Sequence, residues 1–467
     1  MRLIDDNENE FTVRELRKSG VRFIQSKIKD HYVLDYMDNT VAESIVQDYY
    51  TTAQPYAQFA INELLDAIDI SHANPRIVYL PKQERLGRFN ENYGDKLYMI
   101  EEHVGDENKT FDIFGNADDI ISTTDMLLEL QNDKDAQIDE DSYLRARLFD
   151  MLVNDWDRHE DQWRWALHED KDGTKLYKPI PRDRDQAFSK YDGVFPFILK
   201  AVSPLARNMQ SYNAEIKNVK TFNNAVYYLD KNFINRASWA DWKKQAETIQ
   251  NQLTDAVIDK AFANLLEDTK DESINSIKST LKQRRENMVS IAQAYYDYFK
   301  EHEILVATNK DNTIDILRQP NGKTTISITH KEKIIFENSY EKDKTKEIWI
   351  YALDGDDTIS ISGEGNDYIK LKIFGGEEND IYNVTNNSAV TVYDYKSKKN
   401  TFNGAVGKKL TDSYDINNFD PQKRKYSNNV LLPAIGFDPR CGFKCRINKH
   451  LYNIRTIAQP VHHTTYC

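Results

Sequence analysis

Near residue 303 the hydrophobic rhythm of the chain changes, and this limits the folds open to it. Between about 118 and 299 the pattern is mainly helical. In SYLRARLFDMLV the apolar residues fall at 144, 148, 149, 152 and 153, one face of a helix. From EILVATNKDNTIDILRQPNGKTTISITHKEKIIFENSY onward, apolar and polar residues alternate, and Asn321-Gly322 marks a hairpin turn. The sequence therefore predicts an α+β protein, helical in its middle and β-rich after it.

The β-rich part carries an internal repeat. LDGDDTISI, GEGNDYIKL and GGEENDIYNV are each a Gly/Asp turn followed by an alternating strand. Such repetition predicts a solenoid-like stack over about 301–400. The turns are similar to hemolysin-type calcium turns, in which stacked Asp side chains and carbonyls hold Ca²⁺. Asp354, Asp357, Asp367 and Asp380 are the candidate ligands, with Asn366 and Asn379 beside them. The spacing is unequal and Glu378 stands where a turn Gly is expected, so a plain β-turn scaffold is the other reading.

The first hundred residues read as a small mixed lobe. Phe11–Leu16, RIVYLP and KLYMIEEHV have strand character, with Tyr93-Gly94-Asp95 as a turn. Asp38-Asn-Thr predicts a cap before the helix VAESIVQDYY, and YAQFAINELLDAI a second helix.

NDWDRHEDQWRW, residues 154–165, crowds acids, Arg158 and His159 among three tryptophans. Phosphoryl transfer needs a carboxylate to orient the acceptor hydroxyl, oxygen ligands for Mg²⁺ and a cation on the phosphates. In kinase-type catalytic loops the carboxylate precedes an amide metal ligand by five residues, as Asp157 precedes Gln162. A second metal-binding acid should follow, and IPRDRDQAF supplies Asp183 and Asp185. The alternative is structural: an ion-pair knot of Asp157, Arg158 and His159 capped by Trp156, Trp163 and Trp165. LKQRRENM reads as a solvated helix face or a clamp at the core edge, and Trp239 and Trp242 as a buried helix stripe.

DWDRHEDQW followed by PIPRDRDQAF resembles the atypical kinases of the spore-coat-protein-H type. Their pattern is roughly Asn-x-Asp, an amide five residues on, then Pro-Trp-Asp-x-Asp-x-x-Phe. The likeness is greatest to a Bacteroidetes-like group of cell-envelope proteins in which such a domain precedes a BamA-like outer-membrane barrel. RLIDDNENEFTVRELRK is similar to the family's first strands, and LLPAIGFDPRCGF to the start of the barrel. The resemblance implies a bilobal kinase-like fold: an N-lobe over 1–105, a helical C-lobe over 106–300, the β-rich domain over 301–400 and a barrel-like entry over 401–467. It also implies roles: Asp157 as base, Gln162, Asp183 and Asp185 as ligands of Mg²⁺ or Mn²⁺ with ATP, and Arg14 on the nucleotide. Glu43 or Asp48 would partner Arg14. Two departures stand out, Gln162 in place of Asn and Arg14 in place of Lys.

The net charge of −13 argues against a general nucleic-acid binder, and 40% hydrophobic content suffices for a buried core. No run approaches the roughly 18 apolar residues of a membrane helix. The N-terminus lacks the apolar core of a signal peptide, so the chain reads as a fragment of a longer envelope protein. Cys441, Cys445 and Cys467 with His462 and His463 are irregularly spaced for zinc. Three functions from different classes emerge: a kinase-like phosphotransferase, a non-catalytic module supporting an outer-membrane barrel, and a calcium-stabilised secretion or adhesion accessory.

Overall fold

The computed structural model describes residues 2–16, 56–133, 135–191, 207–365 and 367–421, and the backbone of strands at 429–438, 442–451 and 464–466. The architecture is α+β. It divides into two compact units, Met1–Tyr227 with Arg236–Gln293, and Tyr228–Asn235 with Ala294–Cys467.

Unit 1 opens with an antiparallel sheet of order β1-β2-β4-β3, from β1 (Arg2–Ile4), β2 (Glu10–Glu15), β3 (Arg76–Leu80) and β4 (Lys96–Glu102). The helix α1 (Ile61–Asp66) buries Ile61, Leu64 and Leu65. A second sheet has the order β5-β7-β8-β6, from β5 (Asp119–Ser122), β6 (Ala136–Ile138), β7 (Trp163–Glu169) and β8 (Lys175–Pro181). Between β5 and β6 runs α2 (Thr123–Asn132), capped by Ser122.

The helix α3 (Glu140–Val153) starts where the Asp139 side chain accepts the Ser142 N–H, and it ends where Asn154 enters the left-handed region at φ 69°. It is buried nearly all round, Arg147 and Asp150 included. Trp163 and Trp165 from β7 are fully buried and pack on Tyr143 of this helix, with ring centroids 5.0 and 5.7 Å away. Two of the three tryptophans in NDWDRHEDQWRW are thus core residues. The third, Trp156, donates from Nε1 to the Tyr191 hydroxyl at 2.9 Å.

The later helices are α4 (Trp239–Gln252), α5 (Asp255–Ala263), α6 (Glu272–Glu286) and α7 (Met288–Lys300). The helical run 241–266 is broken at Leu253-Thr254, because Thr254 caps a new helix by accepting the Val257 N–H. Trp242 is buried, as its stripe predicts. In LKQRRENM the two arginines part company. Arg285 pairs with exposed Asp255, whereas buried Arg284 clamps the Met151 carbonyl at 3.1 Å and Asn154 Oδ1 at 3.0 Å.

Unit 2 is built from β9 (His302–Val306), β10 (Thr313–Arg318), a hairpin of β11 (Lys323–His330) and β12 (Lys333–Glu341), β13 (Glu347–Tyr351), β14 (Thr358–Gly363), β15 (Lys370–Phe374), β16 (Ile381–Val384), β17 (Val390–Asp394), β18 (Thr401–Asn403) and β19 (Gly407–Leu410). From β13 on, successive strands alternate between two sheets, of order β12-β11-β10-β14-β16-β18 and β19-β17-β15-β13-β9. The β10–β11 and β11–β12 pairings are antiparallel, and every other pairing in these sheets is parallel. The register stacks like on like: Ile348 and Ile350 lie beside Leu371 and Ile373, and Ile314 and Ile316 beside Ile359 and Ile361. These side chains form one buried cluster. Further on, β20 (Asn429–Asp438) and β21 (Gly442–Leu451) pair as a long antiparallel hairpin. Among the described residues no helix is long and apolar enough to cross a membrane.

Candidate functional site: a cleft beside a buried ion knot

The β7–β8 hairpin brings the two acidic segments together. Its ladder runs past the strand ends, so the residue before β7 pairs with the residue after β8: the Arg182 N–H donates to the Gln162 carbonyl at 2.8 Å. Gln162 is therefore held next to Asp183. The Asp183 backbone sits at φ 48°, a left-handed conformation that a non-glycine residue adopts at a cost of about 1–2 kcal/mol. Such conformations concentrate at functional sites.

Arg14, from β2, reaches Asp183. Its Nη1 lies 3.0 Å from Asp183 Oδ1, and its Nη2 lies 3.4 Å from Glu101 Oε1 on the neighbouring β4. Burial works against the Arg14 charge, but Asp183, Glu101 and Asp185 hold its pKa above the usual value. Burial pushes Glu101 up, against the pull of Arg14. Both carboxylate partners of Arg14 line a solvent-open cleft together with Thr12, His72, His103 and Arg182. Glu43 and Asp48 lie outside the described residues. Glu101 is the partner that sequence reading missed, since only the register that sets Arg14 opposite Met99 brings it near.

Asp157 is half-buried, and burial raises its pKa. His159 and Arg158 pull it down, while Asp185 and Asp183 push it up. The three aspartates thus share one electrostatic neighbourhood. Asp185 accepts from Gln186 Nε2 at 2.8 Å. The Gln162 amide lies 3.4 Å from His159 Nε2.

The ion-pair knot exists, but it is built from different acids. Asp150 and Asp155, both fully buried, face Arg147, Arg158 and Arg184. Asp150 takes Arg147 Nη1 at 2.7 Å, Arg158 Nε at 3.3 Å and Arg184 Nη1. Asp155 takes Arg158 Nη1 at 3.3 Å and Arg184 Nη1 at 3.8 Å. Burial opposes the Asp150 charge, yet the three guanidiniums hold its pKa below the usual range. Burial pushes Asp155 up to about 7. Arg158 also donates to the carbonyls of Arg182 at 2.6 Å and Gln162 at 3.1 Å, with its guanidinium 4.7 Å from the centre of the Trp163 ring. It ties the catalytic-loop candidates to the metal-acid segment. Asp157 stands outside the knot.

The calcium candidates separate. Asp354 and Asp367 are exposed, whereas Asp357 and Asp380 are buried. The buried pair belongs to a ladder along the coil. Asp357 Oδ1 accepts the Asn312 N–H at 2.6 Å, Asp380 Oδ1 the Asp357 N–H at 3.0 Å, and Asn400 Oδ1 the Asp380 N–H at 2.9 Å. One residue earlier a second ladder runs in the opposite sense. Asp311 accepts from Asp356 N at 3.1 Å, Asp356 from Asn379 N at 3.0 Å, and Asn379 from Lys399 N at 2.9 Å. The repeated Asp and Asn thus serve as hydrogen-bond acceptors for the turns. Tyr382 joins the inner ladder, its hydroxyl 2.6 Å from Asp394 Oδ2 and 3.3 Å from Asp380 Oδ2. Gly375 is needed there, because a Cβ would lie 2.3 Å from both Asp380 Oδ2 and the Tyr382 hydroxyl. Burial pushes Asp357 up to about 7, and burial with nearby Asp394 pushes Asp380 up to about 8.

No protein-family model and no curated protein matches the chain.

Two outcomes follow for stability. Asp150→Ala leaves buried arginines unpaired and should cost about 3–5 kcal/mol by chemical denaturation. Asp157→Asn removes a half-buried charge and should leave stability at or above wild type. The raised carboxyls of unit 2 hold protons in the folded chain that the unfolded chain has released. Their stabilisation is complete below pH about 4 and is lost as pH rises through about 7 to 8. The urea midpoint of unit 2 should therefore fall between pH 5 and pH 9, and Asp380→Asn should flatten that slope.

Proposed function

We propose that unit 1 is a kinase-like phosphotransferase that uses ATP with Mg²⁺ or Mn²⁺ and transfers to an acceptor hydroxyl. The observation that carries this reading is the Arg14–Asp183 pair, 3.0 Å apart at the cleft. A cation from the first sheet and an acid from beyond the β7–β8 hairpin meet where a nucleotide's phosphates and its metal need opposite charges. Arg14 binds phosphate, with Glu101 holding the guanidinium from its other side. Asp183 and Asp185, with the side-chain amide oxygen of Gln162, would hold the metal, which when bound neutralises charge on the transferring phosphoryl group. Asp157 orients the acceptor hydroxyl and takes its proton. Its raised pKa brings its proton affinity closer to that task than an exposed aspartate's.

A non-catalytic binding module is the second reading. It is favoured by the fact that Arg14 already neutralises Asp183 without a ligand. We further propose that the protein belongs to the cell envelope, in association with an outer-membrane barrel. β20 and β21 are each 10 residues long, and a membrane-spanning β-strand needs about 9–11. The alternating parallel strands of unit 2 support a solenoid-like reading of residues 301–400.

The test is calorimetry with ATP and Mg²⁺ or Mn²⁺, followed by a phosphate-transfer assay. Metal-dependent binding should be present in wild type and in Asp157→Asn, and reduced tenfold or more in Arg14→Ala and Asp183→Ala. Transfer should be absent in Asp157→Asn. A folded wild type that binds no nucleotide would leave the binding-module reading.

A further inference from the structure

The geometry points to a second site in unit 1, in which Glu10, His103 and Glu107 bind a divalent transition-metal ion. One potential ligand atom from each lies within 4.8 Å of the other two. The residues come from the start of β2, the residue after β4 and the following turn at Asp106–Asn108. This inference does not rest on the nucleotide reading.

Two of the three positions, Glu10 and His103, are tied together by one buried side chain. Asn108 is fully buried. Its Oδ1 accepts the Glu10 N–H at 3.1 Å, and its Nδ2 lies 2.7 Å from the carbonyls of both Glu10 and His103. The His103 N–H donates in turn to the Glu10 carbonyl at 2.9 Å. His103 Nδ1 lies 3.2 Å from Thr12 Oγ1, which leaves Nε2 as the nitrogen for a cation.

Room for the ion is carved by Gly105. A Cβ at that position would lie 2.5 Å from Glu107 Oε2 and 3.2 Å from His103 Nε2. Any larger residue would part the two ligands. Arg2 pairs with Glu10 at 2.9 Å from a largely exposed position, a counterion that a metal displaces easily.

One imidazole and two carboxylates suit Zn²⁺ or Mn²⁺ better than Mg²⁺, which prefers oxygen alone. Zinc–ligand bonds of about 2.0–2.1 Å place donors roughly 3.4 Å apart. Glu107 is exposed and can rotate inward to close the set.

The experiment is calorimetric titration of the full chain with Zn²⁺, with Co²⁺ as an optical probe. One ion should bind per chain, and affinity should fall at least about tenfold in both His103→Gln and Glu107→Gln. Exposed Glu107 makes its variant safe for folding, checked by thermal unfolding without metal. Asp183→Ala should retain the site, which separates it from the nucleotide metal. Undiminished affinity in both variants, no binding by folded wild type, or a Co²⁺ spectrum showing only thiolate ligation from the C-terminal cysteines would overturn the proposal.

Discussion

Asp150 is the point on which unit 1 turns. One carboxylate at the end of a buried helix gathers Arg147, Arg158 and Arg184, and none of these four side chains is appreciably exposed. Charges so deep persist only when paired and hydrogen-bonded. Each arginine also reaches outward. Arg147 Nη2 donates to Asn223 Oδ1 at 2.6 Å, and Arg184 packs its guanidinium on Phe149. Arg158 is the consequential member, because its donors end on the carbonyls of Gln162 and Arg182. The segments that present Asp157, Gln162 and Asp183 are anchored from beneath by the same cation.

Unit 2 solves its polar problem differently. Between its parallel strands, unit 2 carries turns whose N–H groups need acceptors. Two adjacent rows of Asp and Asn accept them, one row pointing up the coil and the other down. The choice has an electrostatic cost. Asp357, Asp380 and Asp394 sit fully buried along one axis with Tyr382 between two of them, so protons are retained where exposed carboxyls would be ionised. Asp311, Asp356, Asp357, Asn379, Asp380 and Asn400 of this repetition thus accept backbone hydrogen bonds.

Much of this was legible. The change of period at 303 marks real strands, because inward Ile and Leu on both sheets must alternate with outward polar residues. Asp157 and Gln162 stand out because their residue types and spacing are unusual beside tryptophan, and Asp183 follows in IPRDRDQAF, whereas Arg14 is singled out only by resemblance to the family's first strands. Asp150 and Arg147 do not stand out: in a helix they read as polar gaps in an apolar face, and nothing local reports that they are buried. Glu101 is hidden for a related reason, since a residue in KLYMIEE becomes a partner of Arg14 only through strand register. The Asp and Asn ladders are visible as repetition, but their direction depends on which coil each side chain reaches toward. Glu10, His103 and Glu107 form no motif, because Asn108 ties Glu10 to His103 across the fold.

The most direct test of the account is a crystal structure of the chain with a non-hydrolysable ATP analogue and Mn²⁺, read by anomalous scattering. The account predicts manganese within bonding distance of Asp183, with Arg14 swung from Asp183 onto a phosphate oxygen. Nucleotide absent from the cleft at saturating concentration, or bound with Arg14 still paired to Asp183 and no manganese beside it, would contradict it.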